Sequence, residues 1–128
     1  MPSFRLSGEL MLLAASNLKI YFCTKPTDMR LGFNGLSGQV RSFMGNDPLS
    51  GSLFVFRNRR GDRLKILAWD RDGFVLWYKL LAKGTFRFPP HITTNSIEID
   101  YPTLMMILDG VDLRHIRRQK RYKLPASG

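Results

Sequence analysis

The sequence has almost no cysteine. Cys23 is the single cysteine among 128 residues. The chain can therefore form no internal disulfide, no cysteine-based zinc site and no Cys-x-x-Cys redox pair. A lone cysteine in an apolar segment is typical of a protein in a reducing cytosol, and we expect Cys23 to be a small buried residue.

Long apolar runs are missing as well. The N-terminal run Leu10–Ala15 has six residues and directly follows Glu9, whereas the apolar region of a signal peptide has roughly 7–15 residues. No segment approaches the roughly 18 apolar residues that a membrane span needs. We expect neither export nor a membrane partner.

A recognisable catalytic arrangement is also lacking. A two-metal nuclease needs two or three carboxylates that converge on metals about 4 Å apart, and the ten acidic residues here are scattered. Asp70–Gly73 resembles the start of a calcium loop, but the twelfth position is Leu81 instead of glutamate, so a tight turn is expected. His91 and His115 are far apart. The sequence predicts a protein that is not an enzyme and binds no metal or cofactor.

Positive charge is what the chain has in excess. Twenty lysines and arginines oppose ten aspartates and glutamates, which gives a formal net charge of +10. A chain of this charge is attracted to polyanions, among them DNA, RNA and acidic membrane surfaces. Net charge alone does not choose among these partners.

The excess is concentrated in two segments. Residues 57–65 hold five basic residues and one acid, and residues 113–128 hold six basic residues and no acid, while the rest of the chain is balanced. A basic hairpin and a basic tail can both bind backbone phosphates, and arginine does so with two parallel hydrogen bonds. The candidate DNA contacts are Arg57, Arg59, Arg60, Arg63, Lys65, Arg114, Arg117, Arg118, Lys120, Arg121 and Lys123.

The apolar pattern predicts an α+β fold in residues 18–112, between a leader at 1–17 and the basic tail at 113–128. Short runs rich in aromatic and β-branched residues, separated by turn residues, indicate an antiparallel sheet of four to five strands, a meander, packed against one or two helices. The predicted strands are Asn17–Lys25, Ser52–Arg57, Arg63–Trp69, Phe74–Leu81 and Ile97–Ile99.

Two helices are predicted beside this sheet. Apolar residues recur at spacings of three and four between Met29 and Phe43, which indicates a helix over Asp28–Met44 with Thr27 or Asp28 as its N-cap. Pro102 suits the first turn of a second helix that ends at Asp109.

Four segments of the chain form a distinctive set. They read TDMRLGFNGL at Thr27–Leu36, GSLFVFRNRRGD at Gly51–Asp62, KILAWD at Lys65–Asp70 and LDGVD at Leu108–Asp112. Their order and spacing resemble the TnpB (Orf2-like) accessory proteins of the IS66 insertion-sequence family. The resemblance extends over about residues 18–124.

The resemblance implies a role in transposition. Such proteins are encoded beside a separate transposase, which carries the acidic catalytic residues, and they assist transposition. It implies a non-catalytic bacterial accessory protein that acts with the transposase and other proteins of the same element. Taken together with the basic hairpin and tail, it leads us to expect DNA, as transposon ends or nonspecific duplex, as a further partner and a cytoplasmic, nucleoid-associated location. One alternative is a protein-interaction module that binds an acidic face of the transposase without DNA. A metal-dependent nuclease is a more remote one. The oligomeric state stays open.

Asp28 and Arg30 stand out as a candidate partner contact. As an exposed pair they could meet the transposase surface. Alternatively, Asp28 caps the following helix and forms an ion pair with Arg30 nearby. Both interpretations are compatible with the sequence.

Overall fold

The computed structural model describes residues 18–89 and 93–110. In these ranges one five-stranded sheet is accompanied by two helices, and the predicted α+β class is confirmed. The predicted leader and basic tail lie outside the described residues. The elements are β1 (Ile20–Cys23), α1 (Phe33–Ser42), β2 (Leu53–Arg57), β3 (Arg63–Asp70), β4 (Gly73–Leu80), β5 (Ser96–Ile99) and α2 (Tyr101–Asp109).

The sheet is mixed, not wholly antiparallel, with the strand order β4-β3-β2-β1-β5. Strands β2, β3 and β4 form the predicted antiparallel meander. Strand β1 runs parallel to β2 and antiparallel to β5. The physical reason is the crossover through α1, because a helix between two strands lets the second strand run in the same direction as the first.

Each face of the sheet has its own core, because successive strand residues point to opposite faces. On one face Phe54, Phe56 and Leu67 pack with residues of α1. On the other face Leu53, Val55 and Leu64, among others, pack with residues of α2. The helix residues fully buried in these two cores are Leu36 and Val40 of α1 and Leu104 and Ile107 of α2. Each such side chain contributes roughly 1.5–3 kcal/mol by leaving water.

Helix α1 begins at Phe33 instead of Asp28. Its N-cap is Gly32, and no side chain caps it, so the prediction of Thr27 or Asp28 as the cap is wrong. The Thr27 amide donates to the carbonyl of Arg57 at 2.7 Å. The segment before α1 is thereby tied to the end of β2, and this long-range bond competes with local helix formation.

Helix α2 follows its prediction closely. The Asp100 carboxylate accepts a hydrogen bond from the Thr103 amide at 2.9 Å and caps the helix. Pro102 lies in the first turn, where its missing N–H costs no intrahelical bond. Gly110, at φ +78°, ends the helix in the left-handed conformation that glycine adopts without strain.

Candidate nucleic-acid interface

One end of the sheet brings together segments that are far apart in the sequence. Strands β1, β2 and β4 finish there, while β3 and β5 begin there. We call this the basic end, because five exposed basic side chains and one half-buried one lie on it. They are Lys25, Arg59, Arg60, Lys83 and Arg87, together with the half-buried Arg63.

The turn between β2 and β3 is held by Asn58. Its side-chain oxygen accepts from the backbone amides of Gly61 at 2.9 Å and Arg63 at 3.0 Å. Its side-chain amide donates to the Asp62 carboxylate at 2.7 Å, and this bond holds the pKa of Asp62 below its ordinary value. Gly61 adopts φ +80°, a conformation that costs glycine little. The backbone of this turn is therefore fixed before any partner binds.

Arg59 and Arg60 project from the fixed turn into solvent. The side chain of Arg60 is 85% exposed, and its guanidinium lies 3.9 Å from the Asp62 carboxylate. An exposed ion pair contributes only about 0–1 kcal/mol, so a phosphate can replace the carboxylate at small cost. Both arginines are exposed, which a contact with DNA requires.

The loop after β4 adds two cations that the sequence analysis did not single out. Two backbone hydrogen bonds of 2.8 Å tie this loop to the turn, from Leu81 to Asp62 and from Phe86 to Gly61. Phe86 is buried, whereas its neighbour Arg87 is exposed. Lys83 and Arg87 were hidden in the sequence because the chain outside residues 57–65 and 113–128 is balanced when its charges are counted together.

Lys25 reaches the basic end from β1. The parallel pairing of β1 with β2 brings the ends of these two strands side by side. The order strand, helix, strand in the sequence was the signal that could have revealed this, since it is typical of parallel neighbours.

Lys65 is one of the predicted DNA contacts, but it is buried in the structure. Its residue is only 6% exposed. The ammonium group donates to the carbonyls of Met29 at 2.9 Å and Leu31 at 2.8 Å, and it lies 4.6 Å from the centre of the Tyr78 ring. Lys65 fastens the segment before α1 to the sheet, so this placement does not suit a contact with DNA.

Arg57 is also engaged inside the fold. One terminal nitrogen donates to the carbonyl of Thr24 at 2.8 Å, and the guanidinium lies 5.3 Å from the centre of the Phe88 ring. Burial lowers the pKa of Arg57, and its Nε has no hydrogen-bond partner among the described residues. Arg57 joins the end of β1 to the loop after β4, and we leave it out of the candidate interface.

Arg63 is less exposed than the turn arginines Arg59 and Arg60 but is not buried as Lys65 is. It is half-buried at the start of β3, and its Nη1 donates to the Tyr78 hydroxyl at 2.8 Å. Its remaining donors can serve a phosphate. The predicted tail contacts Arg114, Arg117, Arg118, Lys120, Arg121 and Lys123 lie outside the described residues.

Asp28 and Arg30 form the ion pair that the sequence suggests. The Asp28 carboxylate accepts from Arg30 Nε at 3.1 and 3.2 Å and from Nη2 at 2.8 Å. The Arg30 backbone amide donates to the same carboxylate at 2.9 Å. The Arg30 side chain is 90% exposed. Asp28 thus turns the chain ahead of α1 and does not cap the helix.

We expect the substitution Arg30→Gln to raise the pKa of Asp28. Hydrogen bonds from Arg30 lower this pKa from 3.8 to about 2, so removing the guanidinium should return the midpoint toward 3.8. A carboxylate with a lowered folded-state pKa stabilises the fold above its unfolded pKa, and this contribution is lost as the pH falls toward 2. NMR titration of the Asp28 carboxyl carbon measures the midpoint. Lys19→Gln serves as the control, and an equal midpoint in Arg30→Gln and wild type would contradict the pairing.

Neither a metal cluster nor a membrane helix is found in the described part of the chain. Among residues 18–89 and 93–110, no group of three or more His, Cys, Asp or Glu side chains could hold a metal ion. No helix in these ranges is long and apolar enough to cross a membrane.

Comparison with known proteins gives one family and two relatives. The chain matches the family model described as IS66 Orf2 like protein over residues 18–118. It is 35% identical over 109 residues to the uncharacterized protein y4jC of Sinorhizobium fredii, covering 85% of this chain and 92% of y4jC. It is 38% identical over 105 residues to the uncharacterized protein y4hO of the same organism, covering 82% and 90%. No solved structure matches the chain.

Proposed function

We propose that this chain, which belongs to the IS66 Orf2-like protein family, is a non-catalytic accessory protein of DNA transposition that binds the DNA backbone with its basic end. The resemblance drawn from the four sequence segments is confirmed by the family match. Family membership supports the transposition setting. The DNA contact is our inference from the placement of charge.

The observation that carries this proposal is the gathering of cations at one end of the sheet. Three strand ends and one loop supply the basic side chains, and two acids near that end, Asp28 and Asp62, are hydrogen-bonded to neighbours. Phosphate oxygens are the partners that arginine and lysine bind most often in protein–DNA complexes, and such contacts position a protein without reading sequence. Because the backbone of the β2–β3 turn is already fixed, binding has to order only the two arginine side chains and not the backbone that carries them.

The test is a salt series of duplex DNA binding with a paired substitution in the turn. The double variant Arg59→Ala, Arg60→Ala removes up to two phosphate contacts. The slope of log affinity against log salt should therefore become shallower by about 0.9 for each phosphate that is no longer bound, and affinity at low salt should fall. Fluorescence anisotropy with a labelled duplex measures both quantities.

The matched control removes two charges from the opposite end of the sheet. In the double variant Lys19→Ala, Arg71→Asn the net charge falls equally, and asparagine tolerates the positive φ of position 71. This variant should keep most of the affinity and slope. Equal behaviour of the two double variants would reject the basic end as the DNA site.

The alternative is an interaction module without DNA contact, in which the basic end meets an acidic face of the transposase. The exposed Asp28–Arg30 pair favours a role for this surface in protein recognition as well. Capture of purified transposase in nuclease-treated buffer, together with no binding to duplex DNA, would establish this alternative. Nicking of plasmid in Mg²⁺ or Mn²⁺ would instead indicate the metal-dependent nuclease.

A further inference from the structure

Strand β4 forms an edge of the sheet along its whole length. Its eight residues pair with β3 on one side, and no described strand pairs with the other side. The outer side of an edge strand presents unpaired peptide groups, which are a template for pairing with another strand.

The side chains of β4 do little to discourage such pairing. Tyr78 is 45% exposed and Leu80 is 53% exposed, and the segment from Phe74 to Trp77 is only half-buried. Natural proteins usually protect long edges with several charges, proline or a bulge. β4 has a single charged residue, Lys79, and no proline.

We propose that β4 pairs in antiparallel fashion with β4 of a second copy of this chain. A twofold axis perpendicular to the sheet relates the two copies and leaves each side chain on the same face. Residues that lie opposite each other must therefore point to the same face, so their sequence numbers differ by an even number. With Leu76 opposite Leu76, Phe74 meets Tyr78 and Val75 meets Trp77. Aromatic pairs and aromatic–β-branched pairs are among the cross-strand contacts that stabilise sheets.

Charge distribution favours a second copy as the occupant. The end of the sheet opposite the basic end carries Asp70 and Asp72 in the β3–β4 turn. Arg71 lies between them in the sequence, and its Nε is 3.4 Å from Asp70 Oδ1. This turn is therefore net acidic. Antiparallel pairing of two β4 strands sets the basic end of each copy beside the acidic turn of the other, and the twofold axis makes this contact twice.

The first test is sedimentation equilibrium of the full chain. The wild type should be a dimer at micromolar concentration. Leu76→Lys places two like charges directly opposite each other, so we expect the dimer dissociation constant to rise at least tenfold. Glu98→Lys, on the opposite edge strand β5, is the matched control and should leave it within twofold. Circular dichroism and thermal melting check that each variant is folded.

A second test fixes the register and does not depend on a disruptive charge. In a Cys23→Ala background, Leu76→Cys places two thiols at the twofold axis, where paired strands bring Cα atoms about 4.5–5.5 Å apart, within the range of a disulfide. Mild oxidation should give a covalent dimer, and the control Glu98→Cys should not. A monomeric wild type, an open-ended polymer, a dimer unaffected by Leu76→Lys, or cross-linking through position 98 would each overturn the proposal.

Discussion

Replacing Lys65 with methionine is expected to lower the free energy of unfolding by about 2–4 kcal/mol. Methionine fills the space of the lysine methylenes but offers no donor. The carbonyls of Met29 and Leu31 would lose the ammonium that bonds them at 2.9 and 2.8 Å. Each polar group left unpaired away from water costs about 1–3 kcal/mol. The segment ahead of α1 would also lose its link to β3.

Urea denaturation followed by circular dichroism measures this destabilisation. Lys83→Met makes the same chemical change at an exposed position of the basic end and should alter the free energy of unfolding by less than about 0.5 kcal/mol. Equal stability of Lys65→Met and wild type would mean that water can replace the ammonium at both carbonyls.

Neutralising the basic tail is expected to have the largest effect on DNA affinity. Changing Arg114, Arg117, Arg118 and Arg121 to glutamine removes four charges from residues 113–128. If all four meet phosphates, the slope of log affinity against log salt becomes shallower by about 3.6, and affinity near 0.1 M salt falls as much as about a thousandfold. The expectation is electrostatic and depends on no particular conformation of the tail.

The same anisotropy assay measures this prediction. Combining the tail variant with Arg59→Ala, Arg60→Ala shows whether the two basic regions bind one DNA together. Additive reductions in slope indicate separate phosphate contacts, while a tail variant with unchanged slope assigns the tail no part in DNA binding. The free energy of unfolding of residues 18–110 should be unaffected by the tail substitutions, which denaturation curves check.

The strands of the meander were predictable because their signals are local. Short apolar runs rich in aromatic and β-branched residues, separated by turn residues, define β2, β3 and β4 within a few positions. The start of α1 was not predictable in the same way. Its apolar spacing continues back to Met29, but a hydrogen bond between Thr27 and Arg57 holds the intervening chain out of the helix.

The candidate site was predictable only in part, because net charge does not distinguish a solvated cation from a buried one. Lys65 and Arg59 count equally in the sequence. In the structure Lys65 is opposite Phe56 and Tyr78 and is buried, whereas Arg59 is exposed in the turn. Because strand residues alternate between the two faces, the sequence could have placed Lys65 on the same face as Leu67. It could not show that a helix covers that face.

By itself, the sequence determined the excess of positive charge, the family and the α+β class, since each depends on composition, motif order or local pattern. Only the tertiary structure decided which cations share a surface. It added Lys25, Lys83 and Arg87 to the turn arginines and removed Arg57 and Lys65. The physical reason is that the parallel β1–β2 pair and the loop after β4 bring distant segments to one end of the sheet. Carbonyls and aromatic rings meanwhile hold two of the predicted cations inside the fold.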